Sequence, residues 1–305
     1  MDLAIILCTK NGEKFLKDQL ESIANQTFKE FDLYIKDNNS SDSTFKVIDN
    51  FIDNHKDINV FVMKGDNLHY ANSYVKLLMD LNKNYKYYAF CDQDDIWDIN
   101  HLQRGVNSIK FAKVPKLICS RTLLINSNNN TIGMSPYFRK PLKFQNALVQ
   151  SIAGANTMIF NKKAANLLMN VNYNDHIVSH DWLLYIIITA YDGDINYFSS
   201  PSVRYRQHKK NTIGSNLGIN NKFKRIKMLL DGTYLSYNLQ NITHIEKFKN
   251  ISKKNEEFFF YYKKAIIEKN IILSASYLIK SNVYRQTFLG NIALKFFILI
   301  GRKIN

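Results

Sequence analysis

The chain has 305 residues, 46% apolar and 22% charged, which suits one large domain or two small ones and excludes global disorder. Four prolines and eleven glycines exclude collagen-like and linker-dominated architectures. The net charge is +15, yet residues 1–200 balance at 21 basic and 21 acidic side chains while residues 201–305 hold 20 against 5. A neutral body with a basic last third points to an anionic partner: nucleic acid, a membrane surface or an acidic ligand.

Three scattered cysteines, Cys8, Cys91 and Cys119, fit neither a disulfide scaffold nor a zinc site, and suit a reducing cytosol. The start lacks a positive segment and a long apolar run, so no secretory signal is read. No apolar run reaches about 18 residues, so no conventional membrane-spanning helix is expected. The apolar stretch 182–191 fits a buried helix, and 292–300 is broken by Lys295.

The first hundred residues alternate between two periods. Residues 3–8 read as a buried strand, and Asn11-Gly12 marks a turn. Phe15, Leu16, Leu20 and Ile23 then recur at helical spacing. A strand is predicted over 31–35, a loop over 37–40, and a helix over 43–54 with Phe45, Ile48, Phe51 and Ile52 on one face. A third strand (58–63), a third helix (70–81) and a fourth strand (87–91) follow. Such alternation predicts βαβ units, a mostly parallel sheet, and ligands beyond the carboxyl ends of its strands. Three polar loops fall at those ends: 9–12, 37–42 and 92–95.

The middle section is less regular. Strands are predicted at 117–120, 123–126, 154–160 and 202–206, with a hairpin turn at 127–130. Helices are predicted at 162–169 and 180–190. Beyond residue 218 the chain is basic and aromatic, with an amphipathic helix at 221–230 and helical stretches at 242–269 and 271–300.

Four groups of residues draw attention to chemistry. Asp92-Gln93-Asp94-Asp95 sets three carboxylates in four residues after a strand, a repulsion that a hard cation relieves; Mg2+ and Mn2+ accept one or two carboxylates plus substrate phosphates. A solvated acidic loop or helix cap is the bland alternative. Asp37 is either a turn former or an acceptor for a nucleotide's ribose or base N–H. Asp181, at the start of an apolar helix, is either a cap or a general base on a rigid support. The basic run 204–211 is either a solvated loop or a phosphate contact with His208 as a metal ligand.

Taken together these pieces resemble glycosyltransferase family 2. The match is carried by Ile5-Ile6-Leu7-Cys8-Thr9-Lys10-Asn11-Gly12-Glu13, Gln19 to Thr27, Lys36-Asp37-Asn38-Asn39-Ser40-Ser41-Asp42, Asp92-Gln93-Asp94-Asp95-Ile96-Trp97, His180-Asp181-Trp182-Leu183 and Tyr205-Arg206-Gln207-His208. The last three look like the subgroup of bacterial rhamnosyltransferases and related O-antigen or capsule transferases. The resemblance covers residues 1–215. It implies an α/β GT-A fold: a Rossmann-like, mostly parallel sheet flanked by helices, followed here by a basic helical C-terminal extension. It divides the chain into a nucleotide-sugar half (1–98), an acceptor and catalytic half (99–215) and the extension (216–305).

The resemblance also implies roles. Thr9, Asn11, Glu13, Asp37, Asp92, Asp95 and Arg206 would contact the nucleotide or donor sugar. Asp92, Asp94 and His208 would hold a divalent cation, Mg2+ or Mn2+, with Asp94 as the direct ligand. Asp181 would be the catalytic base. Gly154, Asn156 and Trp182 would lie near the acceptor. Two departures stand out: His180 precedes the base where the family has Glu, and Asn67-Leu68-His69 replaces Asn-x-Gly, so that His69 puts a side chain where Gly admits close backbone approach.

The implied reaction is inverting sugar transfer from a nucleotide sugar, dTDP-rhamnose or a UDP-hexose, to a lipid-linked saccharide. The basic C-terminal section, with Phe258 to Lys264 and Phe296 to Ile300, would lie on the anionic inner face of the plasma membrane as amphipathic helices. The alternative is helical packing onto the body. A nucleic-acid-binding protein is the rival that the charge suggests, but no recognition motif accompanies it and no nucleic acid partner is expected. A non-catalytic scaffold is the other rival, and the intact acidic set argues against it.

Overall fold

The structure, a computed structural model, describes residues 1–208 and 231–299. The predicted helix at 221–230, residues 209–211 of the basic run and Ile300 lie outside the described residues.

The alternating amino-terminal pattern folds as β1 (Leu3–Thr9), α1 (Leu16–Ala24), β2 (Phe31–Asp37), α2 (Thr44–Asn54), β3 (Asn59–Lys64), α3 (Tyr70–Met79) and β4 (Tyr87–Cys91). There follow β5 (Ile96–Trp97), α4 (His101–Ile109), β6 (Lys116–Ser120), β7 (Leu123–Ile125) and β8 (Thr131–Met134). Next come α5 (Phe144–Ala147), β9 (Ile159–Asn161), α6 (Lys162–Met169), α7 (His180–Ala190), β10 (Asp194–Phe198) and β11 (Val203–Arg206). Four more described helices complete the chain: α8 (Thr233–Ile245), α9 (Lys253–Ile267), α10 (Ile271–Lys280) and α11 (Phe288–Leu299).

Seven strands form one sheet in the order β10-β6-β9-β4-β1-β2-β3. Only β9 runs antiparallel to its neighbours; the other pairs are parallel. Strands from either side of residue 98 share this sheet. Its two faces carry separate apolar layers, because successive strand residues point to opposite sides. Leu3, Ile5, Leu7, Leu33 and Ile35 meet α1, α2 and α4 on one face. On the other, Ala4, Ile6 and Cys8 meet α3, α6 and α7.

A smaller sheet, β5-β11-β7-β8, positions chemistry. β11 pairs antiparallel with β5, Val203 opposite Trp97 and Arg204 opposite Ile96. That register carries the residues after Arg206 back along the residues before Ile96, so His208 arrives at the acidic loop 114 positions away.

Helix α7 is buried along its whole length, which its apolar composition requires. The basic third is no separate appendage. Ile242, Ile245, Tyr262, Ile266, Leu278, Leu294, Phe297 and Ile298 join the same apolar layer as α7.

Several boundaries differ from expectation. The predicted strand at 154–160 begins instead as a 3-10 turn, Ala155–Thr157, because Thr157 N–H bonds back to Gly154 O at 3.2 Å. The predicted helices at 242–269 and 271–300 are each interrupted, at Asn250 (φ 61°) and Asn282 (φ 50°). Asn tolerates this left-handed conformation better than most residues.

Candidate active site

The three predicted polar loops meet at the carboxyl end of the main sheet. Thr9 Oγ1 donates to Gln93 Oε1 at 2.6 Å, and Lys10 N–H donates to the same oxygen at 2.9 Å. Asn11 N–H donates to Ser40 Oγ at 2.8 Å, while Asn11 Oδ1 accepts from Ser41 N–H at 2.9 Å. Glu13 Oε2 accepts from Ser43 N–H at 2.9 Å. Thr9, Asn11 and Glu13 therefore lace the first loop to the other two. A Cβ on Gly12 would lie 2.7 Å from Gln93 Oε1 and 2.8 Å from Thr9 Oγ1, so a larger residue would have to displace the Thr9–Gln93 contact.

Asp37 is fully buried. Its carboxylate accepts from Ser40 N–H at 2.8 Å and Ser40 Oγ at 2.5 Å, which is the turn-forming geometry.

The acidic loop separates into three environments. Asp94 Oδ2 lies 2.7 Å from His208 Nε2, both side chains partly open to solvent. Asp92 accepts from Tyr74 Oη at 3.1 Å; burial, then the Asp94 charge, hold its carboxyl above the ordinary range. Asp95 is fully buried, bonded by Asn156 Nδ2 and by Arg206 N–H, and burial raises its carboxyl well above the usual value.

Asp95 and Arg206, expected at the donor, are fully buried in this structure. The Arg206 guanidinium donates to Asp94 O at 2.8 Å, to Asp18 Oδ2 at 3.0 Å and to Asn129 Oδ1, and lies 4.5 Å from the centre of the Phe15 ring. Five rigid donors suit it to that framework. Arg206 thus holds the acidic loop from behind. Asn156, expected near the acceptor, is likewise buried under Asp95. Gly154 is exposed at the start of its turn, and the Trp182 indole N–H is bonded to Ala147 O at 2.7 Å.

Asp181 stands apart from the acidic loop at the first turn of α7. Oδ1 accepts from Ser179 Oγ and, at 2.7 Å, from Trp182 N–H. Burial raises its carboxyl to about 7, against those stabilising bonds. His180 beside it is pushed down to about 3 by burial and by His69, so its ring is neutral at ordinary pH.

The site thus combines a buried carboxyl raised to about 7 with a separate acidic loop that carries a histidine contact. A family model described as glycosyl transferase family 2 matches residues 4–168. The chain belongs to this family. This glycosyltransferase is 26% identical over 251 residues to a dTDP-rhamnosyl transferase, RfbG, of Shigella flexneri, covering 75% of this chain and 80% of that one. Its fold is shared with residues 1–349 of S. aureus TarS in complex with UDP-GlcNAc: TM-score 0.60 and 13% identity, covering 100% of this chain and 88% of that one. It is shared also with a mannosyltransferase of Pyrobaculum calidifontis in complex with GDP-Man and Mn2+: TM-score 0.55 and 13% identity, covering 99% of this chain and 86% of that one. Both are GT-A folds in the sense expected of this transferase.

Among the described residues, no three His, Cys, Asp or Glu side chains converge into a ready metal cage. Asp94 and His208 do offer one oxygen and one nitrogen at contact distance, beside the raised carboxyl of Asp92. That pair fits a cation whose remaining positions come from phosphate oxygens and water.

Sequence reasoning missed four supporting residues of the transferase. Gln93 was passed over because only the carboxylates of its loop were weighed. Tyr74 was read only as part of one face of the third helix and Ser40 as loop, and nothing was read into Asp18. The Tyr74 hydroxyl donates to Cys91 O at 2.7 Å as well as to Asp92. A polar tip on an otherwise apolar helix face was the available signal.

Proposed function

We propose that this glycosyltransferase transfers rhamnose from dTDP-rhamnose, with inversion, to a saccharide on a lipid carrier in bacterial surface polysaccharide synthesis. The rhamnosyl donor is supported by the name of the Shigella relative. The chemistry is supported chiefly by one observation: Asp181, the base candidate, sits on a rigid buried helix with its carboxyl raised to about 7.

Asp181 takes the proton of the acceptor hydroxyl as that oxygen attacks the anomeric carbon. The bond to the nucleotide diphosphate breaks on the opposite side, and its electron pair leaves with the phosphate. Both hydrogen bonds to Asp181 fall on Oδ1, which leaves Oδ2 for the proton. Asp94 and His208 would hold the divalent cation, Mg2+ or Mn2+, with Asp92 beside them. When bound, the cation neutralises charge on the leaving diphosphate. Thr9, Asn11, Glu13 and Asp37 build the loops against which the nucleotide lies, and Gly154 and Trp182 flank the acceptor side.

A lipid-linked acceptor calls for a membrane-facing surface. No helix among the described residues is long and apolar enough to cross a membrane. Helix α10 exposes Ile272 and Ile279, seven positions apart and so on one face; α11 exposes Phe288, Leu289, Ile292 and Phe296. Phe297 and Ile298, expected at the interface, pack inward instead. With Lys269, Lys280 and Lys295 exposed nearby, these stripes suit peripheral attachment to an anionic leaflet on the cytoplasmic side.

The test is a panel of dTDP, dTDP-rhamnose, UDP and UDP-hexoses, with Mn2+ or EDTA, read by melting temperature and by nucleotide release with a lipid-linked acceptor. A ligand of the native state must raise the melting temperature. Cation-dependent stabilisation and turnover with dTDP-rhamnose are expected. A response to UDP species alone would replace the donor, and no response to any nucleotide would overturn the reading.

A further inference from the structure

Lys36 breaks the pattern of its strand. It lies on β2 between Cys8 on β1 and Met63 on β3, both part of the apolar layer on that face. Its side chain is 2% exposed, and Nζ has no hydrogen-bond acceptor. The only carboxylate paired with it among the described residues is Asp66, at 3.8 Å, itself 58% exposed on the loop after β3. Lysine is almost never buried without a close partner, because an ammonium taken out of water costs several kcal/mol. A valine here would fold better. A local violation of that kind marks a functional position more often than a structural one.

The position is consistent with a ligand. Lys36 immediately precedes Asp37, at the carboxyl end of β2 where the three polar loops converge. Its strand neighbour Cys8 immediately precedes Thr9, whose hydroxyl bonds Gln93 of the acidic loop. Gly65 packs against the backbone of the residue after Lys36: a Cβ there would lie 2.7 Å from Asp37 O.

We infer that Lys36 is a donor-binding residue, whose buried ammonium takes an oxygen acceptor of the nucleoside diphosphate. This rests on the nucleotide-sugar reading above. In the free protein Asp66 is a loose resting partner; with donor bound, the ammonium gains the short charge-assisted bond it lacks.

The test uses full-length protein, wild type, Lys36→Met and Asp66→Asn, with thymidine, dTDP and UDP titrated by calorimetry and melting temperatures measured alongside. Lys36→Met is expected to melt at or above wild type, since an apolar side chain replaces a poorly paired buried charge. Its affinity for the nucleoside diphosphate that wild type binds is expected to fall about ten- to a hundredfold. A loss with thymidine as well assigns the oxygen to base or ribose; a loss confined to the diphosphate assigns it to phosphate. Asp66→Asn is expected to bind within about threefold of wild type. Affinity of Lys36→Met within twofold of wild type overturns the inference, as does an equal loss in Asp66→Asn, which would make the pair a loop fastener. If wild type binds no nucleoside diphosphate, the donor reading itself falls.

Discussion

The imidazole of His180 lies flat on the ring of Tyr74, centroids 4.0 Å apart and planes 9° from parallel. Through this stack the helix that carries Asp181 is keyed to the helix whose Tyr74 hydroxyl holds Asp92 and Cys91 O. The two acidic centres are thus set relative to one another by an aromatic pair. Tyr74→Phe keeps the stack and removes the donor. It should cost about 1–3 kcal/mol, the usual effect of leaving buried acceptors without a partner. Thermal or urea unfolding measures this, and an unchanged stability would show that the hydroxyl bond contributes nothing.

His180 itself makes a separate prediction. Neither ring nitrogen has a hydrogen-bond partner, and burial keeps the ring neutral. A group with its pKa near 3 is not the base at pH 7. His180→Phe should preserve the stack, remove two unsatisfied atoms and leave stability equal or higher. The pH dependence of kcat/KM should keep its shape. A displaced acidic limb in this variant would mean that His180 takes part in proton transfer.

Asp181 links activity and stability with opposite signs. As a base it works only deprotonated, so kcat/KM should rise about tenfold per pH unit below pH 7 and level off above it. Folding shows the reverse. The folded carboxyl is raised to about 7 from 3.8, so between these values the native state holds the proton and the unfolded chain releases it. Stability from this group is complete below about pH 4 and is lost as pH rises through 7. Asp181→Asn cannot ionise. At pH 8 it should unfold with a free energy higher by a few kcal/mol while losing turnover and keeping donor binding. Normal turnover in this variant would remove Asp181 from the mechanism.

The Asp94–His208 pair predicts a cation effect. His208→Ala should raise the Mn2+ concentration that gives half-maximal activity by at least about tenfold. Binding measured with nucleotide and EDTA should change little. A variant with unaltered Mn2+ dependence would show that His208 is only a hydrogen-bond partner of Asp94.

Much of this was legible in the sequence where periodicity and burial agree. The helix starting at His180 was readable because its apolar run 182–188 has no amphipathic alternative. The loops 9–12, 37–42 and 92–95 were readable because each ends a β-branched or aromatic run. The helix His101–Ile109 was missed although Leu102, Val106 and Ile109 keep helical spacing, since attention rested on the acids before it. What stayed hidden depends on long-range register. No local feature tells that β11 folds back on β5, so none tells that Arg206 is enclosed while His208, two residues on, reaches Asp94. Asp95 and Asn156 are a similar case: no local feature tells that these two buried side chains, 61 positions apart, bond to each other.

Arg206 offers the sharpest distinction between framework and contact. Its guanidinium is fully buried and joins Asp18 on α1, the Asn129 turn and the backbone of Asp94. Lysine cannot reproduce that fork. Losing a partner from a fully buried pair costs about 3–5 kcal/mol, but Asp18 is 42% exposed and regains water, so roughly 2–3 kcal/mol is expected for Arg206→Lys. Because Asp94 O would lose its anchor, the cation requirement should rise in the same variant. Asp18→Asn removes one of the same bonds from the accessible side and should show a smaller loss of the same kind. A direct donor contact would behave otherwise: Arg206→Lys would raise KM for the nucleotide sugar with the melting temperature and the cation dependence unmoved, and Asp18→Asn would be silent.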